Sequence, residues 1–306
     1  MALILMFPYS TTFLLFMFVH LIVLVSVNFF ILILIFILLH LDYITFVPLI
    51  ALTDSTLTSL FPKTIAKTAD NIRKSLLVKT HGADLNLKRG IYIFHPHGLF
   101  SLCQFFHIGS DITDWPIRKI VGVSHNLMSE VPIVKDFTKY NGRSIPSHYS
   151  TMKASLLEDK SISITLGGYS EAKYNSPTKM VLNIKNKKGI FKMALQTGTP
   201  LVPVITYREN QTCVKAESFI TRFLDKHIKL SPQLPTLETV SKWINLTEKP
   251  LEAPMLTYIG KPVSAELIEK PTDTEIIELR EKYFKALETL YAETRPKEYE
   301  SKLYII

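Results

Sequence analysis

The chain has 306 residues, with 35 Lys and Arg against 27 Asp and Glu and a formal net charge of +8. That length admits one large domain or two small ones, and two cysteines, Cys103 and Cys213, exclude a disulfide framework and suit a reducing compartment. The positive balance fits a body resting on anionic lipid head groups, a grip on an anionic ligand, or a solvated basic face. No nucleic-acid motif accompanies it, so no nucleic-acid partner is expected.

Nothing charged occurs over residues 1–41. As one continuous helix that run would be roughly 60 Å long, about twice the ~30 Å hydrocarbon thickness of a bilayer. A hairpin is therefore expected, with passes over residues 8–25 and 29–44 and a turn at Ser26-Val27-Asn28. The alternative is a single tilted anchor with an apolar lead-in. A secretory signal does not fit, because the run is too long, lacks a basic leading region and offers no clean small-residue cleavage site. The expected organisation is a membrane-anchoring hydrophobic hairpin over 1–60 and a cytosolic domain over 61–306. Lys63, Lys67, Arg73, Lys74 and Lys79 follow the anchor against Asp70 alone, and the positive-inside rule then leaves the body in the cytosol. On that side the sequons Asn210-Gln211-Thr212 and Asn245-Leu246-Thr247 stay unmodified.

Beyond residue 84, short β-rich runs alternate with amphipathic stretches, which argues for an α/β sheet covered by helices. Strands are expected over 90–94, 119–123, 161–166 and 201–205, and helices over 99–106, 135–140, 151–159, 190–197 and 275–293. Gly198 closes the helix over 190–197, and Thr272 or Asp273 caps the last one. Its Ile276, Leu279, Tyr283, Ala286, Leu287 and Leu290 make one apolar stripe, read as a packing face on the body. Residues 212–250 are punctuated by proline and give no clear pattern.

Three features carry chemistry. His95-Pro96-His97-Gly98 follows the strand over 90–94, at the kind of strand end where α/β folds expose functional side chains. Pro96 biases His95 toward an extended backbone, and Gly98 permits a close approach or an unusual dihedral. The two imidazoles read equally as a working base with its support or as a buried structural pair. Gly167-Gly168-Tyr169-Ser170-Glu171 ends a second strand, where paired glycines leave backbone N–H groups open to an oxyanion or phosphate. Its Glu171 could orient a histidine or meet a hydroxyl, although such a turn is often only a turn. Lys185-Asn186-Lys187-Lys188-Gly189 leads into a helix, either an anion site or a solvated loop.

Taken in order, these pieces resemble the acyl-CoA:diacylglycerol acyltransferase type 2 and monoacylglycerol acyltransferase family. The resemblance runs through Tyr92-Ile93-Phe94-His95-Pro96-His97-Gly98 and Gly167-Gly168-Tyr169-Ser170-Glu171-Ala172. It continues in the long block from Asn186-Lys187-Lys188-Gly189-Ile190-Phe191-Lys192 to Thr199-Pro200-Leu201-Val202-Pro203-Val204, and in Tyr258-Ile259-Gly260-Lys261-Pro262-Val263. The departures are Leu166 for a usual proline, Arg208 for a usual glycine before Glu209-Asn210, and Arg280 for a common histidine. They leave the acceptor in doubt.

The resemblance implies a mixed sheet covered by helices, glycerolipid-acyltransferase-like, behind a transmembrane helical hairpin. It also implies transfer of a fatty acyl group from acyl-CoA to the hydroxyl of a neutral lipid, at the endoplasmic reticulum or an equivalent membrane, with the lipid droplet as a second location. The residue types suit that reaction. His97 is expected as general base, His95 as its support, and Glu171 as the carboxylate that holds the imidazolium or its tautomer. Backbone N–H groups near Gly98, Gly167 and Gly168 are expected to receive the oxyanion, and Lys187, Lys188 and Lys192 the coenzyme A phosphates. Ser101 reads as a helix-surface hydroxyl and Cys103 as a small core residue, neither of them a nucleophile. Acyl-CoA enters as substrate, with no cofactor and no metal expected, membrane lipid as a partner, and an oligomer left open. The rival readings are a lipid esterase, which lacks a Gly-x-Ser-x-Gly elbow, and a non-catalytic lipid-binding member of the fold.

Overall fold

A computed structural model of the chain describes residues 79–82, 87–98, 101, 104, 120–124, 144–168, 171, 173–176, 178–215, 233–235 and 255–306. All of them belong to one of the two compact units into which the chain divides. The expected anchor over 1–60, most of the helix over 99–106 and the helix over 135–140 lie outside the described residues. Among the described residues no helix is long and apolar enough to cross a membrane.

The described residues form a mixed sheet with helices. Its seven strands run in the order β1-β10-β7-β2-β5-β3-β4. They are β1 Lys79–Gly82, β2 Ile91–His95, β3 Ile120–Ser124, β4 Ser144–Pro146, β5 Ser161–Ile164, β7 Leu201–Tyr207 and β10 Leu256–Ile259. Every neighbouring pair is parallel except β10 with β7. The central strands β2 and β7 are buried along their whole length, which explains their unbroken apolar runs: a parallel strand covered on both faces shows no alternation. Outside this sheet, β6 Lys179–Leu182 pairs with β11 Lys302–Ile305, and β8 Cys213–Lys215 with β9 Gln233–Pro235.

Among the described residues three α-helices accompany the sheet: α1 Tyr149–Leu157, α2 Gly189–Thr197 and α3 Asp273–Thr294. The sequence marks their ends well. Gly198 takes φ +58, and the N–H groups of Gly198 and Thr199 reach back to the Leu195 and Ala194 carbonyls, the double bond that terminates a helix on a left-handed residue. At the start of α3, Thr272 accepts the Glu275 N–H while the Glu275 carboxylate accepts the Thr272 N–H at 2.7 Å. Helix α3 buries Ile276, Leu279, Tyr283, Phe284, Leu287 and Leu290, so Phe284 joins the expected stripe. Each such side chain removed from water contributes about 1.5–3 kcal/mol. Phe191 of α2 meets Tyr283 and Phe284 edge-on, with ring centroids 5.7 and 6.2 Å apart. Arg89, just ahead of β2, donates to the Leu156 carbonyl at 2.8 Å and the Thr197 carbonyl at 2.5 Å. One guanidinium thus closes the last turns of α1 and α2 and fixes where β2 enters the sheet.

Candidate active site

Strands β7, β2 and β5 are adjacent and parallel, so their C-terminal ends open on one edge of the sheet. The register runs from Ile91 opposite Leu201 to His95 opposite Ile205, and from Ile91 opposite Ile162 to Ile93 opposite Ile164. Three turns therefore converge there. His95-Pro96-His97-Gly98 leaves β2, Gly167-Gly168 follows β5, and Arg208-Glu209-Asn210 follows β7. This edge is where parallel sheets offer backbone N–H groups and loop side chains to a ligand.

The two histidines have different surroundings. His95 is the last residue of β2, wholly buried, and its Nε2 lies 2.9 Å from the Tyr283 hydroxyl. Burial holds its pKa down to about 3, so the ring is neutral. His97 is only partly buried, and its Nδ1 sits 3.0 Å from the Gly98 carbonyl. A carbonyl only accepts, so Nδ1 carries the proton and Nε2 keeps its lone pair. Burial lowers the His97 pKa while the Gly98 bond works against that, and the net direction is downward. The free Nε2 is thus a base that stays neutral at neutral pH.

Glu171 reaches this turn from β5, but at the backbone. Its Oε1 accepts the His97 N–H at 2.7 Å, whereas the ring answers to Gly98. Burial pushes the Glu171 carboxyl up to about 8, against the downward pull of the His97 and Asn183 N–H groups and the Lys187 ammonium. Its second oxygen, Oε2, is buried without a hydrogen-bond partner. Gly167 makes the approach possible, since a Cβ there would lie 2.0 Å from Oε2 and 2.3 Å from the Glu171 Cβ. Gly168 takes φ +53 and faces open space.

The third turn brings a carboxylate that the sequence motifs did not single out for chemistry. Glu209 is 2% exposed and lies against Gly98, where a Cβ would come within 2.9 Å of its Cγ and 3.0 Å of Oε1. Gly98 is therefore required twice, by that contact and by its φ of +57. The signal available was positional: Glu209 follows a buried parallel strand, as the histidines do. Its neighbours are secured on both sides. Asn210 donates to the Ser176 carbonyl at 2.6 Å and accepts the Tyr299 hydroxyl at 2.8 Å. Arg208 adopts φ +72 and pairs with Glu298 at 3.1 Å.

That dihedral explains why glycine is usual at the Arg208 position, and it sets a stability order. A left-handed non-glycine residue costs about 1–2 kcal/mol, while an ion pair whose acidic partner is exposed returns about 0–1 kcal/mol. Arg208→Ala keeps the strain and loses the pair; Arg208→Gly loses both. Thermal denaturation should find the glycine variant at least as stable as the alanine variant, and the reverse order would refute the strain.

The lysine loop lies near the carboxylate end of this edge, and its members are not equivalent. Lys187 is half-buried and acts electrostatically on Glu171. Lys188 is tied to Asp273 at 3.1 Å, and Lys192 is exposed on α2. Arg280 donates to the Lys185 carbonyl at 2.8 Å, so this departure from the family pattern anchors the loop to α3. Ser101 requires a correction: it is buried at φ +50, with its hydroxyl 3.0 Å from that of Thr165, and is not on a helix surface. The left-handed dihedral takes it out of the expected helix. Cys103 lies outside the described residues.

Fold and site together define an α/β protein with a neutral histidine on the C-terminal edge of a mostly parallel sheet. A model of the diacylglycerol acyltransferase family matches residues 27–304, and the chain belongs to that family. It is similar to diacylglycerol O-acyltransferase 2 of Mus musculus, 26% identical over 70% of this chain and 58% of the relative. It is also similar to acyl-CoA wax alcohol acyltransferase 2 of Homo sapiens, 26% identical over 72% of this chain and 70% of the relative. The chain thus spans about three fifths of the mouse relative's length. Among solved structures it matches the 1-acyl-sn-glycerophosphate acyltransferase PlsC of Thermotoga maritima, with a TM-score of 0.46 and 12% identity over 92% of this chain and 96% of that one.

Proposed function

We propose that this protein is a membrane-bound, acyl-CoA-dependent O-acyltransferase that esterifies the hydroxyl of a neutral lipid, diacylglycerol or monoacylglycerol. The observation that carries this reading is the free, neutral Nε2 of His97, held on the sheet edge beside paired glycines in a chain of this family. A lipid alcohol is a poor nucleophile until its proton has somewhere to go. In the proposed step the alcohol oxygen bonds to the thioester carbonyl carbon as Nε2 takes the hydroxyl proton. The tetrahedral intermediate then expels coenzyme A by breaking the C–S bond, and the imidazolium returns the proton to the departing sulfur. Backbone N–H groups of the Gly98 and Gly167-Gly168 turns are the proposed oxyanion donors. Glu171 acts by holding the His97 backbone, so that the base points out of the turn.

Residues 1–60 are proposed as the hairpin anchor, which lets the acceptor arrive by lateral diffusion in the bilayer, with residues 61–306 on the cytosolic side of the endoplasmic reticulum or an equivalent membrane. The test is to give membranes containing the protein labelled acyl-CoA and a panel of alcohols: diacylglycerol, monoacylglycerol and long-chain alcohols. Ester formation supports the reading and identifies the acceptor. Release of free fatty acid without ester would make the protein an esterase, and no turnover a binding protein.

The lysine loop is proposed to attract the coenzyme A phosphates at the start of α2, a nine-residue helix with open space beside Gly189. Because Lys188 already has Asp273 and Lys187 lies nearest Glu171, the three lysines should not contribute equally. Lys187→Gln is expected to raise KM for acyl-CoA several-fold, more than Lys188→Gln does, and to leave KM for the alcohol within about twofold. Initial rates at varied acyl-CoA measure this, and equal small effects at all three lysines would mean a solvated face.

A further inference from the structure

Helix α3 contributes a side chain to the floor of the site that the transfer step above does not use. Tyr283 is fully buried, and its hydroxyl lies 2.9 Å from Nε2 of His95. The rings of Phe191 and Phe284 pack on it edge-on at 5.7 and 6.3 Å, so the phenol has little freedom to turn. Burial, with the Glu171 carboxylate nearby, holds the Tyr283 hydroxyl well above its ordinary pKa, and His95 is neutral as well. The bond between them is therefore one of neutral partners and persists across the working pH range.

His95 is separated from His97 by Pro96 alone. This segment is held by the β2 ladder at His95 opposite Ile205, by the Glu171 carboxyl on the His97 N–H, and by Tyr283 on the His95 ring, while the Ser101 N–H also donates to the His97 carbonyl at 2.8 Å. The Tyr283 bond stands out because Nδ1 of His95 is buried without a hydrogen-bond partner. Without the Tyr283 hydroxyl, both nitrogens of a wholly buried imidazole would lack partners, and the ring could recover one only by moving and taking the turn with it. We propose that Tyr283 is a positioning residue of the acyl-transfer site, setting the aim of His97 through the ring of His95. The proposal rests on the reading of His97 as the base.

A core hydrogen bond that merely holds the fold would use the same atoms, so the test must read catalysis apart from stability. Tyr283→Phe removes one oxygen and keeps the ring. It should lower kcat on the order of tenfold, as small misplacements of a reacting group do, with KM for acyl-CoA within about twofold. His95→Leu has no polar atom to offer the Tyr283 hydroxyl and breaks the same link from the other side, so the double variant should lose no more than the worse single one. Rate losses that multiply, or a Tyr283→Phe enzyme with wild-type kcat, would overturn the proposal. Should the His95 variant fail to accumulate, the split between kcat and KM in Tyr283→Phe decides alone. A wild-type protein that acylates no alcohol would overturn the transferase reading and this proposal with it; an active wild type matched by Tyr283→Phe overturns the proposal only.

Discussion

Replacing His97 with glutamine should lower kcat on the order of 10²-fold or more, the scale for losing a general base. Glutamine preserves much of the volume and can still donate to the Gly98 carbonyl, but it has no nitrogen able to take the alcohol's proton. KM for acyl-CoA should change little, because no proposed phosphate contact involves this ring. The pH profile gives the sharper reading. Burial holds His97 below its ordinary 6.5, with the Gly98 bond opposing, so the wild-type rate should persist below pH 6.5 and fall only at more acid pH, as Nε2 is protonated. The residual rate of His97→Gln should lack that acid limb. Acid also acts on stability through His95. Its folded pKa near 3 lies below the ordinary 6.5, so the unfolded chain binds the extra proton and stability is lost as pH falls from 6.5 toward 3. Enzyme briefly held at the low pH and returned to neutrality should recover its full rate if the limb is catalytic. An acid limb that survives in His97→Gln would place the base elsewhere.

Gly167→Ala should be nearly as costly, although it adds one methyl and keeps the backbone N–H of the proposed oxyanion turn. The added methyl would fall 2.0 Å from Oε2 and 2.3 Å from Cβ of Glu171, and neither can yield while Oε1 keeps the His97 N–H. The carboxyl must withdraw, releasing the backbone of the base. A kcat loss of about 10–10²-fold is expected from misaiming, with about 1–3 kcal/mol of destabilisation from overpacking. If displacement of Glu171 is the cause, Glu171→Ala should match the rate of Gly167→Ala, and the two together should be no worse than either. Glu171→Gln should be milder than Glu171→Ala, because an amide oxygen can still accept the His97 N–H. Gly168→Ala is the steric control: it meets nothing within 4 Å, so its stability cost should be the left-handed dihedral alone, about 1–2 kcal/mol. Full activity in Gly167→Ala would mean that Glu171 does not hold the turn.

Much of this arrangement was legible because local signals agreed with the fold. Gly90 and Pro96 bound the run that became β2, Gly167-Gly168 follow that of β5 and Pro200 precedes that of β7, and Gly198 and the Thr272–Glu275 pair mark the helix ends in their own chemistry. The histidine turn and the paired glycines were each legible as following a strand; that the two strands are parallel neighbours, which brings the turns to one edge, was not. What was not legible depends on contacts between distant residues. His95 and His97 look alike in sequence, and only the extension of β2 through His95 buries one ring and leaves the other at the edge. Tyr283 belongs to a helical apolar stripe and reads as core, which it is, until its hydroxyl is found against His95. Glu209 has no local mark besides its place after β7. Glu171 carries the right charge to serve a histidine, but which atom it serves depends on the path of the Gly167-Gly168 turn. The antiparallel entry of β10 and the pairing of β6 with β11 likewise join residues far apart in the chain.

The bond between His95 and Tyr283 spans 188 positions of sequence. During synthesis the histidine turn leaves the ribosome long before helix α3 exists, and Glu171 and Glu209 also arrive ahead of it. A nascent chain, or one ended by a premature stop before Tyr283, would hold both imidazoles and both carboxylates without the phenol that secures the first ring. Contacts of such long range are slow to form, because loop closure costs entropy before they can reward it. The site would then be complete only once helix α3 has been made and has docked.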